Sequence, residues 1–282
     1  MIANTLFQFG RYLKLKGFYQ PCGLIFKLAA FFDQNNKTPA KQWSVINQKF
    51  PGMGYFKVLK IMHQIIKPKI YLEIGVDRGQ SFKLARPQTY AIGVDPAPKL
   101  IADIEDNREI HAMTSDDFFM TGKKAIELKG KVDFAFIDGL HTYEQVLKDF
   151  INLEKLAHKR SVVVFHDILP LDAKSSKKYR ETKVWMGDVW KILPCLSTYR
   201  PDLDLAIIPT AQSGLLVVAR CDSSSSILER NLNNYINEID RLSFDDFKKV
   251  EKEIKFIENN FQAINQHLKR YANISSHKQM DT

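Results

Sequence analysis

Cysteine is scarce in this chain. The three in 282 residues, Cys22, Cys195 and Cys221, form no C-x-x-C pair and are odd in number. Neither a disulfide framework nor a thiolate zinc site is expected, and a reducing compartment is. Long apolar runs are missing too. Gly23–Phe26 and Leu28–Phe32 are separated by Lys27, and Arg11, Lys14 and Lys16 interrupt the chain before them, well short of the ~20 apolar residues of a membrane span. Charges interleaved in this way are unlike a signal peptide, so the expected location is the cytoplasm. Acids are nearly absent from the first quarter: Met1–Lys69 holds eleven basic residues and one acid, Asp33, a net of +10, while the other 30 basic and 31 acidic residues leave the rest at −1. The overall charge of +9 therefore belongs to one segment. With 45% apolar and 26% charged residues the composition excludes disorder and fibrous repeats.

Three regions follow: a basic helical extension over 1–69, a central domain over 70–221, and a polar helical tail over 222–282 beyond the joint Ser223–Ser226. In the centre, Ile70–Ile74, Tyr90–Val94, Val132–Ile137 and Ser161–Phe165 are short apolar runs that end at turn-prone residues, as buried parallel strands do. Thr142–Ala157 has apolar residues at helical spacing with Thr142 placed to cap it, giving a strand–helix–strand crossover. Leu205–Ile208 and Leu215–Ala219 are too closely joined for a helical crossover, so the sheet is expected to end with an antiparallel strand. The tail reads as helix from Ile227 to about Ile264, interrupted at Ser243, which would cap Asp245–Asn259. It suits packing or a contact between copies, a homo-oligomer, better than a site.

The most informative segment is Tyr71-Leu-Glu-Ile-Gly-Val-Asp-Arg-Gly-Gln-Ser81, a strand running into a turn with glycines at 75 and 79, with Asp95 twenty residues past Gly75. Gly75 and Gly79 let backbone approach a ligand at the carboxyl end of a strand, where N–H groups are free. Asp95 suits a ribose diol. The spacing departs from G-x-G-x-x-G, and Asp77 in the turn would repel a pyrophosphate, which argues against a dinucleotide. Glu73-Ile-Gly75-x-x-x-Gly79-x-Ser81 resembles the first motif of class I S-adenosylmethionine-dependent methyltransferases. The resemblance covers roughly Ile70–Arg220 and implies a doubly wound, Rossmann-like α/β fold with a mostly parallel seven-stranded sheet. It implies S-adenosyl-L-methionine as cofactor, held by Glu73, Gly75, Gly79, Ser81, Asp95 and Asp138, with Ser115 and Asp116 near the adenine; either of the latter two could also cap the helix that follows.

Asp138 and His141 follow the fourth strand, and His166 and Asp167 end the fifth. Parallel neighbours lie about 4.8 Å apart, so Asp138 and Asp167 should converge at the edge that carries the glycine turn. With no Lys or Arg at those strand ends they would repel unless a divalent cation joined them. The pattern resembles the metal-dependent O-methyltransferases that act on macrolide sugar hydroxyls. That implies magnesium or manganese on Asp138, Asp167 and His166, with His141 as general base; His166 stands where the closest members carry an acid. The long connection Ile168–Gly187 is placed to act as a lid. Trp185 is a candidate for stacking on an acceptor, whereas Trp190 reads as core.

The acceptor implied is a sugar, glycan or other small molecule. A nucleic-acid methyltransferase gripping phosphates with the basic segment is the rival reading, but Asp138-Gly-Leu-His is not the proline-rich motif of base-methylating relatives. A non-catalytic cofactor-binding protein would leave the Asp138, His141 and Asp167 cluster without a purpose. In the first 35 residues, Leu6, Phe7, Phe9, Tyr12, Leu13 and Leu15 alternate with Arg11, Lys14 and Lys16, which suits peripheral contact with an anionic (inner) membrane surface or an amphipathic helix packed on the body.

Overall fold

The computed structural model describes residues 1–33, 39–99, 106–121, 123–211 and 213–272. Residues 34–35 of the amphipathic segment, residues 273–282 of the tail, and Gln212 in the connection before the last strand lie outside the described residues.

Four helices come first: α1 (Ile2–Leu15), α2 (Tyr19–Phe32), α3 (Ala40–Lys49) and α4 (Tyr55–Ile66). Strands β1 (Ile70–Ile74), β2 (Tyr90–Val94) and β3 (Arg108–His111) are followed by α5 (Ser115–Thr121) and α6 (Lys123–Glu127). Then come β4 (Val132–Ile137), α7 (Tyr143–Glu154), β5 (Ala157–Phe165), α8 (Ile192–Tyr199), β6 (Asp204–Ile208) and β7 (Leu215–Ala219). The chain continues through α9 (Ile227–Arg230), α10 (Leu232–Asp240), α11 (Phe244–Val250), β8 (Lys255–Phe256) and α12 (Phe261–Leu268). The sheet order is β3-β2-β1-β4-β5-β7-β6-β8, parallel except for β7, which runs antiparallel to both neighbours.

Alternation along the strands feeds two cores. Leu72, Ala135, Val163 and Val218 face one side, packed with α7, α8 and α11 through residues such as Phe150, Leu193 and Phe247. Tyr71, Phe134, Val164 and Val217 face the other, against Val58 and Met62 of α4 and Ile264 and Leu268 of α12. This period-two partition is what a sheet covered on both faces requires.

Five expectations change. The sheet has eight strands, because Lys255–Phe256 adds to the free edge of β6, and the helix expected over Asp245–Asn259 stops at Val250. Ile257 is drawn into the core there, its N–H bonded to the Ile207 carbonyl at 2.8 Å. The boundaries expected at 69/70 and 221/222 cut through shared packing, since α4 and α12 cover one face of the sheet together. Ser243 does form a capping box with Asp246, but the Thr142 side chain makes no cap bond: Asp188 Oδ1, from 45 residues away, accepts the Tyr143 N–H at 2.8 Å. Finally, β5 starts at Ala157, four residues earlier than the apolar run suggested. Behind the sheet, the buried Arg200 guanidinium forks onto both oxygens of Glu154, at 2.6 and 2.8 Å, and ties the end of α8 to α7. No described helix is long and apolar enough to cross a membrane.

Candidate active site

The carboxyl ends of β1, β2, β4 and β5 open on one cleft of about 920 Å³. Its floor is the turn after β1. Gly75 takes φ +88°, and a Cβ there would stand 2.1 Å from the Asp138 carbonyl oxygen, so this glycine is needed for β1 and β4 to close on each other before any ligand is considered. Gly79, at φ +70°, completes the turn and bonds its N–H to the Val76 carbonyl. A single 3-10 turn, Phe82–Leu84, follows where a helix would otherwise start.

Asp95 organises that turn. Its Oδ2 accepts the N–H groups of Val76 and Asp77 at 2.9 and 2.8 Å, and its Oδ1 accepts that of Ala97 at 2.8 Å. With Oδ2 occupied twice by these backbone bonds, Oδ1 has one lone pair left over. The Asp77 carboxylate is paired with Lys99.

Glu73 is fully buried and does not line the cleft. Its two oxygens accept the hydroxyls of Tyr71 and Ser81, both at 2.6 Å. Burial, with Asp138 and Asp95 nearby, pushes its carboxyl up to about 8 against the pull of those two bonds. Among the expected cofactor residues, Glu73 therefore acts from behind, by fixing Ser81, which does reach the cleft. Gly79 likewise shapes the turn without lining the cavity. Ser115 and Asp116 line it on the far side. Neither caps α5: Thr114 Oγ1 accepts the Asp117 N–H at 3.1 Å. This leaves Ser115 and Asp116 to Gln145, whose amide nitrogen lies 3.2 and 3.0 Å from them.

The acid and histidine cluster forms at the opposite wall. Hydrogen bonds from Asp138 N to the Ile74 carbonyl and from His166 N to the Ile137 carbonyl extend the sheet pairing one step past the strands. Asp138, His141 and Asp167 thereby converge, with donor atoms within 4.8 Å of one another. Asp138 Oδ1 lies 3.0 Å from His166 Nδ1 and 3.4 Å from His141 Nε2, and Asp167 Oδ2 lies 3.2 Å from His141 Nδ1. Ser213 donates to Asp167 Oδ1 at 3.1 Å. Asp167 adopts φ +58°, a costly conformation for a residue with a Cβ, and one that marks functional positions.

Burial opposes charge on every member of the cluster, yet the two imidazoles hold the Asp138 carboxyl below the usual carboxylate range. On His141 the bond to Asp138 and the field of Asp167 outweigh burial and raise its pKa. On Asp167 burial prevails, with Asp138 adding to it, and the carboxyl is raised. The His141 Nδ1 atom is buried without a hydrogen bond. The two converging carboxylates of Asp138 and Asp167, with the His166 imidazole 3.0 Å from one of them, are a donor set that suits a divalent cation.

Sequence reasoning missed the roof of the cleft. Trp43 on α3 and Tyr55 at the start of α4, both from the basic extension, line it, and the Tyr55 ring packs tilted against His166 with ring centres 4.2 Å apart. The connection expected to act as a lid folds over the same space. Trp185 lies parallel to the His141 ring at 5.3 Å, Gln42 of α3 bonds both the N–H and the carbonyl of Val184, and Trp190 is core, donating to the Ser176 carbonyl. The long sequence separations of these pairs hide them from any local motif.

Residues 72–168, a third of the chain, match the family model described as a methyltransferase domain. The chain carries a methyltransferase domain. The match contains the glycine turn, Asp95, Asp138, His141, His166 and Asp167, and the doubly wound sheet is the one that resemblance to the class I enzymes implied. No curated protein sequence matches the chain. Solved structures similar to it include cofactor-bound Rv0187 from MTB, at 18% identity and TM-score 0.48, covering 69% of this chain and 96% of that one. Another is the O-methyltransferase TomG from Streptomyces achromogenes in complex with SAM, at 14% and 0.46, covering 70% and 95%. A putative caffeoyl-CoA O-methyltransferase from Staphylococcus aureus matches at 15% and 0.47, covering 70% and 99%.

Proposed function

We propose that this methyltransferase domain transfers the methyl group of S-adenosyl-L-methionine to a hydroxyl of a small molecule, sugar or glycan, in the cytoplasm, with a divalent cation assisting. The observation that carries the reading is the convergence of Asp138, His141 and Asp167 beside the glycine turn in a single cleft. Base and cofactor turn then face one cavity, as in-line transfer requires.

The turn from Gly75 to Ser81 receives the cofactor. The remaining lone pair of Asp95 Oδ1 takes a ribose hydroxyl, and Ser115 and Asp116, braced by Gln145, face the adenine. His141 in its neutral form accepts the acceptor hydroxyl's proton. The adjacent Asp138 and Asp167 carboxylates make it a stronger base than free imidazole and stabilise the imidazolium that forms. Trp185, stacked on His141, holds the ring in place and shields it from water. Asp138 and Asp167, with His166 beside them, would hold magnesium or manganese, whose chemistry there is to lower the acceptor hydroxyl's pKa.

Calorimetry with S-adenosylhomocysteine, with and without added magnesium or manganese, tests the reading: binding is expected, and no binding overturns it. His141→Ala should cut transfer to the true acceptor by about 10²–10⁴-fold, the usual contribution of a general base, while leaving S-adenosylhomocysteine affinity nearly unchanged. Undiminished turnover in that variant would remove the base from His141.

A further inference from the structure

Helices α1 and α2 bury Phe7, Cys22, Phe26 and Ala29 in a small core of their own with Ala40 of α3. Their outer faces are apolar as well. On α1, Ile2, Phe9 and Tyr12 recur at helical spacing and are exposed; on α2, Leu24, Leu28 and Phe31 do the same, with Leu24 61% and Phe31 76% exposed. Soluble surfaces tolerate scattered apolar side chains, but a concentration on two packed helices marks an interaction face. The charges around it have one sign. Arg11, Lys16 and Lys27 are exposed beside these residues, whereas Asp33, the one acid of the first 69 residues, is buried. Lys14 is withdrawn from this set: it turns inward to the Asn47 side chain at 2.9 Å, and burial lowers its pKa to about 8.

We propose that the outer face of α1 and α2 is a docking surface for an anionic lipid bilayer, with Phe9, Tyr12, Leu24, Leu28 and Phe31 entering the interface and Arg11, Lys16 and Lys27 pairing with lipid headgroups. Aromatic and aliphatic side chains flanked by cations are the chemistry of interfacial helices. A second copy is a poorer occupant, because facing two such surfaces would bring the exposed cations Arg11, Lys16 and Lys27 of both copies together with no exposed acid among residues 1–33 to offset them. The inference stands independently of the methyl-transfer reading.

Co-sedimentation of the full-length protein with vesicles of equal parts phosphatidylglycerol and phosphatidylcholine, against vesicles of phosphatidylcholine alone, tests it. Sedimentation with the anionic vesicles only, reversed by raised salt, is expected. Leu24→Asp with Phe31→Asp should abolish it. Lys16→Gln and Lys27→Gln should each weaken it about fivefold, the factor for one cation at an anionic surface. An unchanged melting temperature certifies the fold of the double variant, and the two lysine variants carry the test if that fold is lost. The proposal is overturned if the protein stays in solution with both vesicle types, or sediments equally with both. A dimer that forms without vesicle binding and that the aspartate substitutions dissolve overturns it in favour of a second copy.

Discussion

Asp149 on α7 has one carboxylate oxygen 3.0 Å from the Gln145 amide nitrogen and the other buried without a partner. Burial, with Asp116 adding to it, raises its carboxyl to about 6 in spite of the Ser115 and Gln145 contacts. The unfolded value is about 3.9, so between about pH 4 and pH 6 the folded state binds more protons. Stability then falls as pH rises through that window, by an amount on the order of 3 kcal/mol that is fully expressed above about pH 6. Asp149→Asn should therefore gain on the parent in thermal melting as pH is raised from about 4 to about 6; a difference independent of pH would count against this assignment. Glu73 shows where motif reading stops at this scale. Its place in the glycine motif is plain in the sequence, but strand parity puts it on the same face as Tyr71, and only the packing of α4 over that face turns a candidate ligand contact into a buried brace for Ser81.

Gly187, at the end of the lid connection, has φ +69°, and a Cβ there would stand 1.8 Å from the His141 carbonyl oxygen. Gly187→Ala should cost about 1–3 kcal/mol in backbone strain alone, read as a lower denaturant midpoint. Because the loop must also move away from His141, methyl transfer should fall while S-adenosylhomocysteine affinity holds; equal transfer would mean the loop does not position the base. Among the elements, six strands were legible as apolar runs with sharp ends, whereas β3, the half-buried Arg-Glu-Ile-His run over Arg108–His111, offered no apolar run to read. The crossover helix was legible by its spacing, and Ser243 by its capping residues. What the sequence hid depends on distant partners. Asp188 replaces Thr142 as the cap of α7, and β8 has two exposed residues, too few for an alternation, and exists because β6 leaves an edge to pair with.

At the scale of the molecule, charge separated the first 69 residues from the body, and packing joins them again. Tyr55 and Trp43 wall the cleft, Gln42 holds the lid connection, and Lys49 reaches the Pro170 carbonyl from α3. Composition sees the segment as foreign because its net charge is, whereas its role in the site rests on contacts more than a hundred residues apart in the chain.

The few cysteines are distributed among these units. Cys22 lies in the core of α1–α3, and Cys195 and Cys221 lie in the core of the body; all three are free and buried. Burial pushes the Cys195 thiol up to about 12 and raises the other two, so none is an effective nucleophile while enclosed. Each part of the protein thus contains a silent label that speaks only when that part opens. Since Cys22 shares its cluster with only four other buried side chains, alkylation followed by mass spectrometry under native conditions should mark it well before the other two, and simultaneous labelling would mean that the helical segment and the sheet come apart as one cooperative unit.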